Sequence, residues 1–230
     1  MTVTANPNIV TSNLVFNIDA GNPRSYPGSG NIWYDVSGKG YNATLVNAPV
    51  YSNGTLQFRS ASTQYATSSF NEGLLKSTNN TGSWTIEAWF KYVSAPPGGE
   101  AVVAGRAGCH GGIYLNSDNS MHHAIKTDQC WTGATVITAA IMTVGSWYCS
   151  TMVYSNGTTY SYVNGTYIAS ATLNLASYSI FGYDNTFYLG GIPTIYCTNT
   201  DIGVVRCYST ALTSDQVSQN FNAMRGRYGL

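Results

Sequence analysis

The stretch STMVYSNGTTYSYVNGTYIASA, residues Ser150–Ala171, decides the fold class of this sequence. It contains two Asn-Gly pairs, at positions 156–157 and 164–165, and each lies between runs rich in β-branched and aromatic residues. Asn-Gly tolerates positive φ at both central positions of a tight type I′ hairpin turn. We therefore predict three antiparallel strands in series. A third pair, Asn53-Gly54, predicts the same kind of turn before TLQF.

The segment WTIEAWFKY (Trp84–Tyr92) shows the alternation of a half-buried strand. The residues predicted to face inwards are Trp84, Ile86, Ala88, Phe90 and Tyr92. The residues predicted to face outwards, on a mostly wet surface, are Thr85, Glu87, Trp89 and Lys91. An aromatic on a polar face needs cover, so Trp89 indicates either a covered outer face or a contact with a partner, and it is our candidate for an assembly contact.

Only the C-terminal segment has a helical pattern. Residues 213–216 (TSDQ) form a capping-box sequence, and Val217, Phe221 and Met224 then share one helical face. Gly226 is predicted to end this helix. Many short strands with one terminal helix predict an all-β fold, a two-sheet antiparallel jelly-roll sandwich with a short C-terminal helix.

Composition limits the classes of function. The chain has 230 residues, which predicts a single domain over residues 1–230 with residues 1–13 as an N-terminal arm. Only 9% of residues are charged, against about 25% in a typical domain, and the formal net charge is zero. We therefore expect no nucleic-acid partner and no attraction to anionic lipid. No apolar run is long enough to span a membrane, and no signal peptide is evident, which predicts synthesis in a cytoplasm.

The segment CHGGIYLNSDNSMHHAIKTDQC, residues 109–130, combines cysteines with histidines. It predicts a hairpin with a four-residue loop, Asp118–Met121, in which Ser117 pairs with His122. The same register places Cys109 opposite Cys130, close enough for a disulfide. Free thiols and a metal site are the alternatives that remain open.

Zinc is the metal that Cys and His ligands favour, and all three histidines, His110, His122 and His123, lie in this segment. The spacing matches no zinc-finger pattern. His122 and His123 are adjacent on a strand and should point to opposite faces, which weakens the zinc hypothesis. The chain has five cysteines, so at least one is unpaired within a monomer.

Four segments resemble one family, in order along the chain. They are LVFNIDAGNPRSYPGSGNIWYDVSGKGYNATLVNAP (14–49), WTIEAWFK (84–91), SWYCSTMVYSNGTTYSYVNGTYIAS (146–170) and IGVVRCYSTALTSDQVSQNFNAMRGRYGL (202–230). Together they resemble concanavalin A-like lectin/glucanase domains of the laminin G-like type, and especially the variants found in bacteriophage structural proteins.

This resemblance implies a two-sheet jelly roll in a family whose members mostly bind rather than catalyse. The expected function is therefore a non-catalytic virion structural or decoration protein, at a capsid, neck or fibre surface, located in the virion. Its expected partners are coat protein or other virion proteins and further copies of itself. The alternative is a carbohydrate-binding receptor-recognition module, a lectin or adhesin, with surface glycans as partners. A glycoside hydrolase is the third hypothesis.

Glycan binding needs an aromatic platform beside amide and carboxylate groups. Three loops supply this combination. The candidate ligand-binding residues in them are Trp131 in DQCWTG, Tyr183, Asp184 and Asn185 in FGYDNTF, and Tyr196 in PTIYCTNTD.

Glycoside hydrolysis needs two carboxylates that flank the scissile bond. The chain has three glutamates, Glu72, Glu87 and Glu100, and none has a second carboxylate two residues away. We therefore predict no catalytic residues and no enzyme activity.

Calcium is the ion that the resemblance implies, bound by oxygen ligands. Family members often carry an Asp in the closing strand, where this chain has Gly203. Asp35 and Asp201 are the remaining candidate ligands, although no cofactor is required by the sequence. In WYDVSGKGYNATL, Asp35 and Ser37 are predicted instead to bond the backbone amides of a turn.

Overall fold

The structure, a computed structural model, describes residues 7–70, 77–78, 82–106, 111–125, 135–172, 179–180, 186–193 and 196–230. Within these ranges the chain forms eighteen strands, a 3-10 turn at Ser60–Ser62 and one helix, α1 (Ser214–Tyr228). The strands are β1 (Leu14–Asp19), β2 (Ile32–Trp33), β3 (Ala43–Val46), β4 (Val50–Ser52), β5 (Thr55–Phe58), β6 (Tyr65–Ser68), β7 (Ser77–Thr78), β8 (Ser83–Ser94), β9 (Ala101–Arg106), β10 (Gly112–Leu115), β11 (Ser120–Ile125), β12 (Thr135–Ile141), β13 (Trp147–Ser155), β14 (Thr158–Val163), β15 (Thr166–Thr172), β16 (Ser179–Ile180), β17 (Phe187–Leu189) and β18 (Asn199–Tyr208).

The strands form two antiparallel sheets that face each other. Sheet 1 has the order β15-β14-β13-β8-β18-β5-β4, and β1 also pairs with β18. Sheet 2 has the order β12-β11-β10-β9-β17-β6-β3-β2. A two-stranded pair, β16-β7, lies apart from them. The predicted two-sheet sandwich with a C-terminal helix is confirmed.

The main core lies between the two sheets and is rich in aromatic residues. Its fully buried members include Phe16, Trp33, Trp84, Phe90 and Phe187. Burial of each such side chain contributes about 1.5–3 kcal/mol to folding, so this layer is the main source of stability.

The three antiparallel strands that the two Asn-Gly pairs predict are present and form a meander. Asn156 and Gly157 have φ of 46° and 91°, and Ser155 pairs with Thr158 across a two-residue loop. The turn between β14 and β15 is equivalent, with φ of 50° at Asn164. The three predicted strands are therefore β13, β14 and β15.

Strand β8 has the predicted alternation, but most of its outer face is buried. Thr85, Glu87 and Trp89 on that face are all fully buried. The prediction of a mostly wet face was wrong because α1 packs across it, and periodicity within a strand cannot show a helix that arrives from elsewhere in the chain.

Helix α1 begins with the predicted capping box. Thr213 Oγ1 accepts from the Gln216 backbone amide, and the Gln216 side chain accepts from the Thr213 amide. The prediction that Gly226 ends the helix was wrong, because α1 continues to Tyr228 and Gly229 caps it with φ of 72°. Packing of Tyr228 on the sheet offsets the cost of one internal glycine, about 1 kcal/mol.

The hairpin β10–β11 differs from the predicted one. Leu115 pairs with Met121 and Tyr114 with His122, and the loop has three residues that end at Asn119, with φ of 64°. The predicted four-residue loop was wrong because a left-handed Asn can close a three-residue hairpin. This shift removes the register argument for a Cys109–Cys130 disulfide.

Cys109 and Cys130 themselves, like His110, lie outside the described residues. Three cysteines that are described, Cys149, Cys197 and Cys207, are buried free thiols.

The described part of the predicted N-terminal arm packs against the C-terminal end of the fold. The Val10 amide donates to Asn220 Oδ1 at 2.8 Å, and Tyr208 Oη donates to the Val10 carbonyl at 3.1 Å. No helix in the described ranges has the length and apolar character needed to cross a membrane.

Candidate functional site

A row of four side chains crosses the outer face of sheet 1, next to the end of α1. Trp147 on β13 pairs with Lys91 on β8, Lys91 pairs with Asp201 on β18, and Asp201 pairs with Gln57 on β5. Residues directly opposite in a sheet share a face and lie about 5 Å apart. The row therefore places an indole, an ammonium, a carboxylate and an amide side by side.

Two segments of the chain border this row and form a cleft of about 350 Å³ with it. One wall is the β4–β5 turn, and the other is the last turn of α1. The lining residues are Ser52, Asn53, Thr55, Gln57, Lys91, Trp147, Asp201, Arg227 and Tyr228.

Contacts between aromatic rings hold the helical wall in place. The Tyr228 ring lies 4.8 Å from the Trp89 ring and 4.3 Å from the Trp147 ring, measured between centroids. Gly203 permits this approach, because a Cβ there would lie within 2.3 Å of Tyr228 Oη. Burial raises the pKa of the Tyr228 phenol above its ordinary value, so the ring remains neutral.

Arginines neutralise the carboxylates around the cleft. Arg59 Nη2 donates to Asp201 Oδ1 at 2.6 Å. Arg227 Nη1 donates to both carboxylate oxygens of Asp19, at 2.8 and 2.9 Å, and this pair ties the end of α1 to β1. Among the described residues, Lys91 has no carboxylate within 4.0 Å of its ammonium.

This set of groups is suited to a polyhydroxylated ligand. The half-buried Trp147 presents apolar ring surface, and amide, hydroxyl and charged groups within the same cleft can donate or accept hydrogen bonds. A concave site with a few convergent polar groups is the usual form of a small-ligand site.

Glu87, although on the same outer face, does not reach the cleft. It is fully buried and accepts hydrogen bonds from Trp89 Nε1 at 3.0 Å, Arg206 Nη1 at 2.6 Å and Asn220 Nδ2 at 2.8 Å. Asn220 belongs to α1, so this carboxylate fixes the helix to the sheet.

Trp89 is fully buried and stacks on Phe221 of α1, with centroids 5.7 Å apart. The prediction of Trp89 as an assembly contact was therefore wrong. The aromatic does need cover, and the chain's own helix supplies it.

Only one of the predicted ligand-binding residues falls in the described ranges. Tyr196 is 42% exposed and lies outside the cleft. Trp131, Tyr183, Asp184 and Asn185 lie outside the described residues, and their role stays a prediction.

The two predicted calcium ligands are engaged elsewhere. Both Asp35 carboxylate oxygens accept hydrogen bonds, from the amides of Asn17, Ser37 and Tyr41 and from Ser37 Oγ, so the predicted turn role of Asp35 is confirmed. Asp201 binds Arg59. The described ranges contain no group of three His, Cys, Asp or Glu side chains that could hold a metal ion, and the Tyr228 phenol lies over Gly203. The described residues therefore do not fit the calcium site that the resemblance implies.

Three residues of the row, Gln57, Lys91 and Trp147, were not predicted as site residues. Alternation along β8 placed Lys91 on the outer face, which was the only available signal. The row depends on which strands are neighbours, and the sequence did not show that β8 lies between β13 and β18.

Comparisons with known proteins support the fold. Residues 63–218 match the family model described as Concanavalin A-like lectin/glucanases superfamily. A search of curated proteins finds no match. Trypanosoma rangeli sialidase in complex with the inhibitor DANA is similar in structure, with a TM-score of 0.68, 15% identity, and coverage of 97% of this chain and 36% of the sialidase chain.

Two toxin domains are also similar. The binding domain of botulinum neurotoxin serotype D has a TM-score of 0.67 and 12% identity, and the match covers 92% of this chain and 52% of that chain. The binding domain of botulinum neurotoxin DC in complex with SialylT has a TM-score of 0.67 and 15% identity, with coverage of 93% and 52%. At these identities the likeness is one of fold, and this chain spans between about a third and half of the length of these structures.

Proposed function

This chain belongs to the concanavalin A-like lectin/glucanases superfamily, and we propose that it is a non-catalytic carbohydrate-binding module. The observation that carries the proposal is the cleft on the outer face of sheet 1, where Trp147, Lys91, Asp201 and Gln57 lie in one cross-strand row. The two toxin structures support it at the level of fold, since both are binding domains and one is in complex with SialylT.

The walls of the cleft strengthen this proposal. Contact of Tyr228 with Trp147 and the Arg227–Asp19 ion pair fix the helical wall before any ligand arrives. A preformed site loses less conformational entropy on binding, which favours recognition of a weakly bound sugar.

Binding is a better proposal than hydrolysis because the carboxylates near the row are already engaged. Asp201 is paired with Arg59, and Glu87 is buried with Arg206 beneath α1. An acid and a base that flank a glycosidic bond must reach it, and Glu87 cannot.

A glycan array with the Trp147→Ala variant tests the proposal. We expect the wild-type chain to bind a defined set of glycans and Trp147→Ala to lose about tenfold or more in affinity, because stacking on an aromatic face is removed. Tyr167→Ala is the matched control, since Tyr167 is a 50% exposed aromatic on β15 outside the cleft.

The same array includes Trp131→Ala and Tyr183→Ala, which test the predicted loop site. If these two variants lose glycan binding and Trp147→Ala retains it, the binding site lies on the loops and not in the cleft. An array with no bound glycan would rule out the carbohydrate-binding function.

A virion structural or decoration role remains the second proposal. It is supported by the resemblance to phage structural variants and by the low charge, 9% of residues, of a densely copied exterior part. It predicts a regular oligomer or tight binding to coat protein, measured by analytical ultracentrifugation and co-sedimentation with particles. A chain that stays monomeric and has no affinity for coat protein would count against it.

A further inference from the structure

The charges around the cleft do not balance. The cleft and its supporting ion pairs contain three cations, Lys91, Arg59 and Arg227, and two carboxylates, Asp19 and Asp201. Both carboxylates are bound by arginine, at 2.6 and 2.8 Å. Within the part of the chain that the structure describes, Lys91 is the one cation of the cleft that has no ion-pair partner.

The position of Lys91 makes the excess positive charge of the cleft available to a ligand. Asp201 pairs with Lys91 across the strands, but its carboxylate is bound by Arg59, which also donates to the backbone carbonyls of Phe58 and Thr200. Arg59 directly follows β5, so it binds Asp201 from the edge of β18 that is opposite to β8. Lys91 is half-buried in the middle of the row, between the indole of Trp147 and that carboxylate.

A half-buried ammonium without a counter-ion loses hydration that only an anion restores well. Attraction between opposite charges is also stronger in a partly desolvated cleft than in bulk water. The ligand that completes this site should therefore bring its own negative charge.

We propose that the cleft selects glycans that carry an anionic substituent, a carboxylate or a sulfate ester, and that Lys91 binds this group while Trp147 and Gln57 contact the sugar. This inference rests on the proposed carbohydrate-binding function and adds the class of glycan. Lys91 is then the residue that determines specificity.

Three probes on one sugar core test the inference by calorimetric titration: lactose, 3′-sialyllactose and 3′-sulfolactose. We expect at least one of the two anionic probes to bind about tenfold or more tightly than lactose at low ionic strength, and high salt to reduce this preference. Comparison of the two anionic probes shows whether the carboxylate or the sulfate is the source of the charge.

Substitution of Lys91 assigns the preference to its side chain. Lys91→Gln should reduce the affinity for the anionic probe to that for lactose, and Lys91→Arg should retain most of the preference. Lys39→Gln is the matched control, since it removes the same charge from an exposed turn outside the cleft. Circular dichroism establishes that each variant is folded.

Two results would overturn the inference: equal affinity of the wild-type chain for all three probes, or a preference that survives in Lys91→Gln. If neutral glycans bind and charged ones gain nothing, the proposed function stands and the inference fails. If no glycan of either kind binds, both fail.

Discussion

His123 is a buried imidazole held between two serine hydroxyls of the opposite sheet. Its ring nitrogens lie 2.7 Å from Ser161 Oγ and 2.6 Å from Ser150 Oγ, and the residue is fully buried. Burial, with a smaller contribution from the neighbouring charge of His122, lowers the pKa of His123 from 6.5 to about 3. The folded protein therefore keeps this ring neutral at pH values where the unfolded chain would protonate it.

The consequence is a pH-dependent stability. The contribution of neutral His123 is fully present above pH 6.5 and is lost progressively as pH falls towards 3, because the unfolded chain binds the proton first. Since one unit corresponds to about 1.36 kcal/mol and pH 4.5 lies two units below 6.5, the loss in the free energy of unfolding at pH 4.5 is at most about 2.7 kcal/mol. Urea unfolding at pH 7.5 and 4.5 should show a smaller pH dependence in His123→Gln than in the wild-type protein.

His122→Gln is the control for this measurement: because burial is the larger cause of the lowered pKa of His123 and the charge of His122 the smaller one, most of the wild-type pH dependence should remain in this variant. A His123→Gln protein with the full wild-type pH dependence would show that His123 is not the source of that dependence.

Some single-residue roles were predictable and others were not. The opposite orientations of His122 and His123 follow from strand geometry, and the turn role of Asp35 follows from its neighbours Ser37 and Gly38. The serine partners of His123 belong to β13 and β14 in the other sheet. No local pattern places them beside it, because that contact depends on how the two sheets face each other.

At the scale of elements, α1 and β8 depend on each other. The helix covers Glu87 and Trp89, and Asn220 from the helix donates a hydrogen bond to the carboxylate of the buried Glu87–Arg206 pair. The sequence predicted the phase of β8 and the start of α1 because both are local. It could not predict that the two elements pack together, which is why the outer face of β8 was expected to be wet.

A substitution at Gly203 tests the packing of α1 against the sheet. Gly203→Ala would place a Cβ within 2.3 Å of Tyr228 Oη and 2.9 Å of Tyr228 Cζ, so the last turn of α1 must shift. We expect a loss of about 1–3 kcal/mol in the free energy of unfolding, measured by urea denaturation.

The control is the same substitution in a Tyr228→Phe background. The buried Tyr228 hydroxyl has no hydrogen-bond partner, so its removal should cost little and should relieve part of the clash. A Gly203→Ala protein as stable as the wild type would show that the end of α1 is not held against β18.

At the scale of the whole molecule, the cleft is a product of topology. Trp147, Lys91, Asp201 and Gln57 come from four strands that are far apart in the chain and meet only through the order β13-β8-β18-β5. The fold class was predictable, because Asn-Gly turns, the alternation of apolar and polar residues, and the helix cap are all short-range sequence patterns. The site was not predictable, because its position depends on which strands lie next to each other in the sheet.

Binding of a glycan in this cleft can be measured directly, because the chain has five tryptophans and one of them lines the cleft. In a 15N spectrum each indole Nε1–H gives its own signal, and only Trp147 lines the cleft among the described tryptophans. With the glycan that binds most tightly on the array, we predict a saturable shift of the Trp147 indole and small changes at Trp33 and Trp84 in the core. A shift of the Trp131 indole signal with the Trp147 signal unchanged would contradict binding in the cleft and place the site on the predicted loops instead.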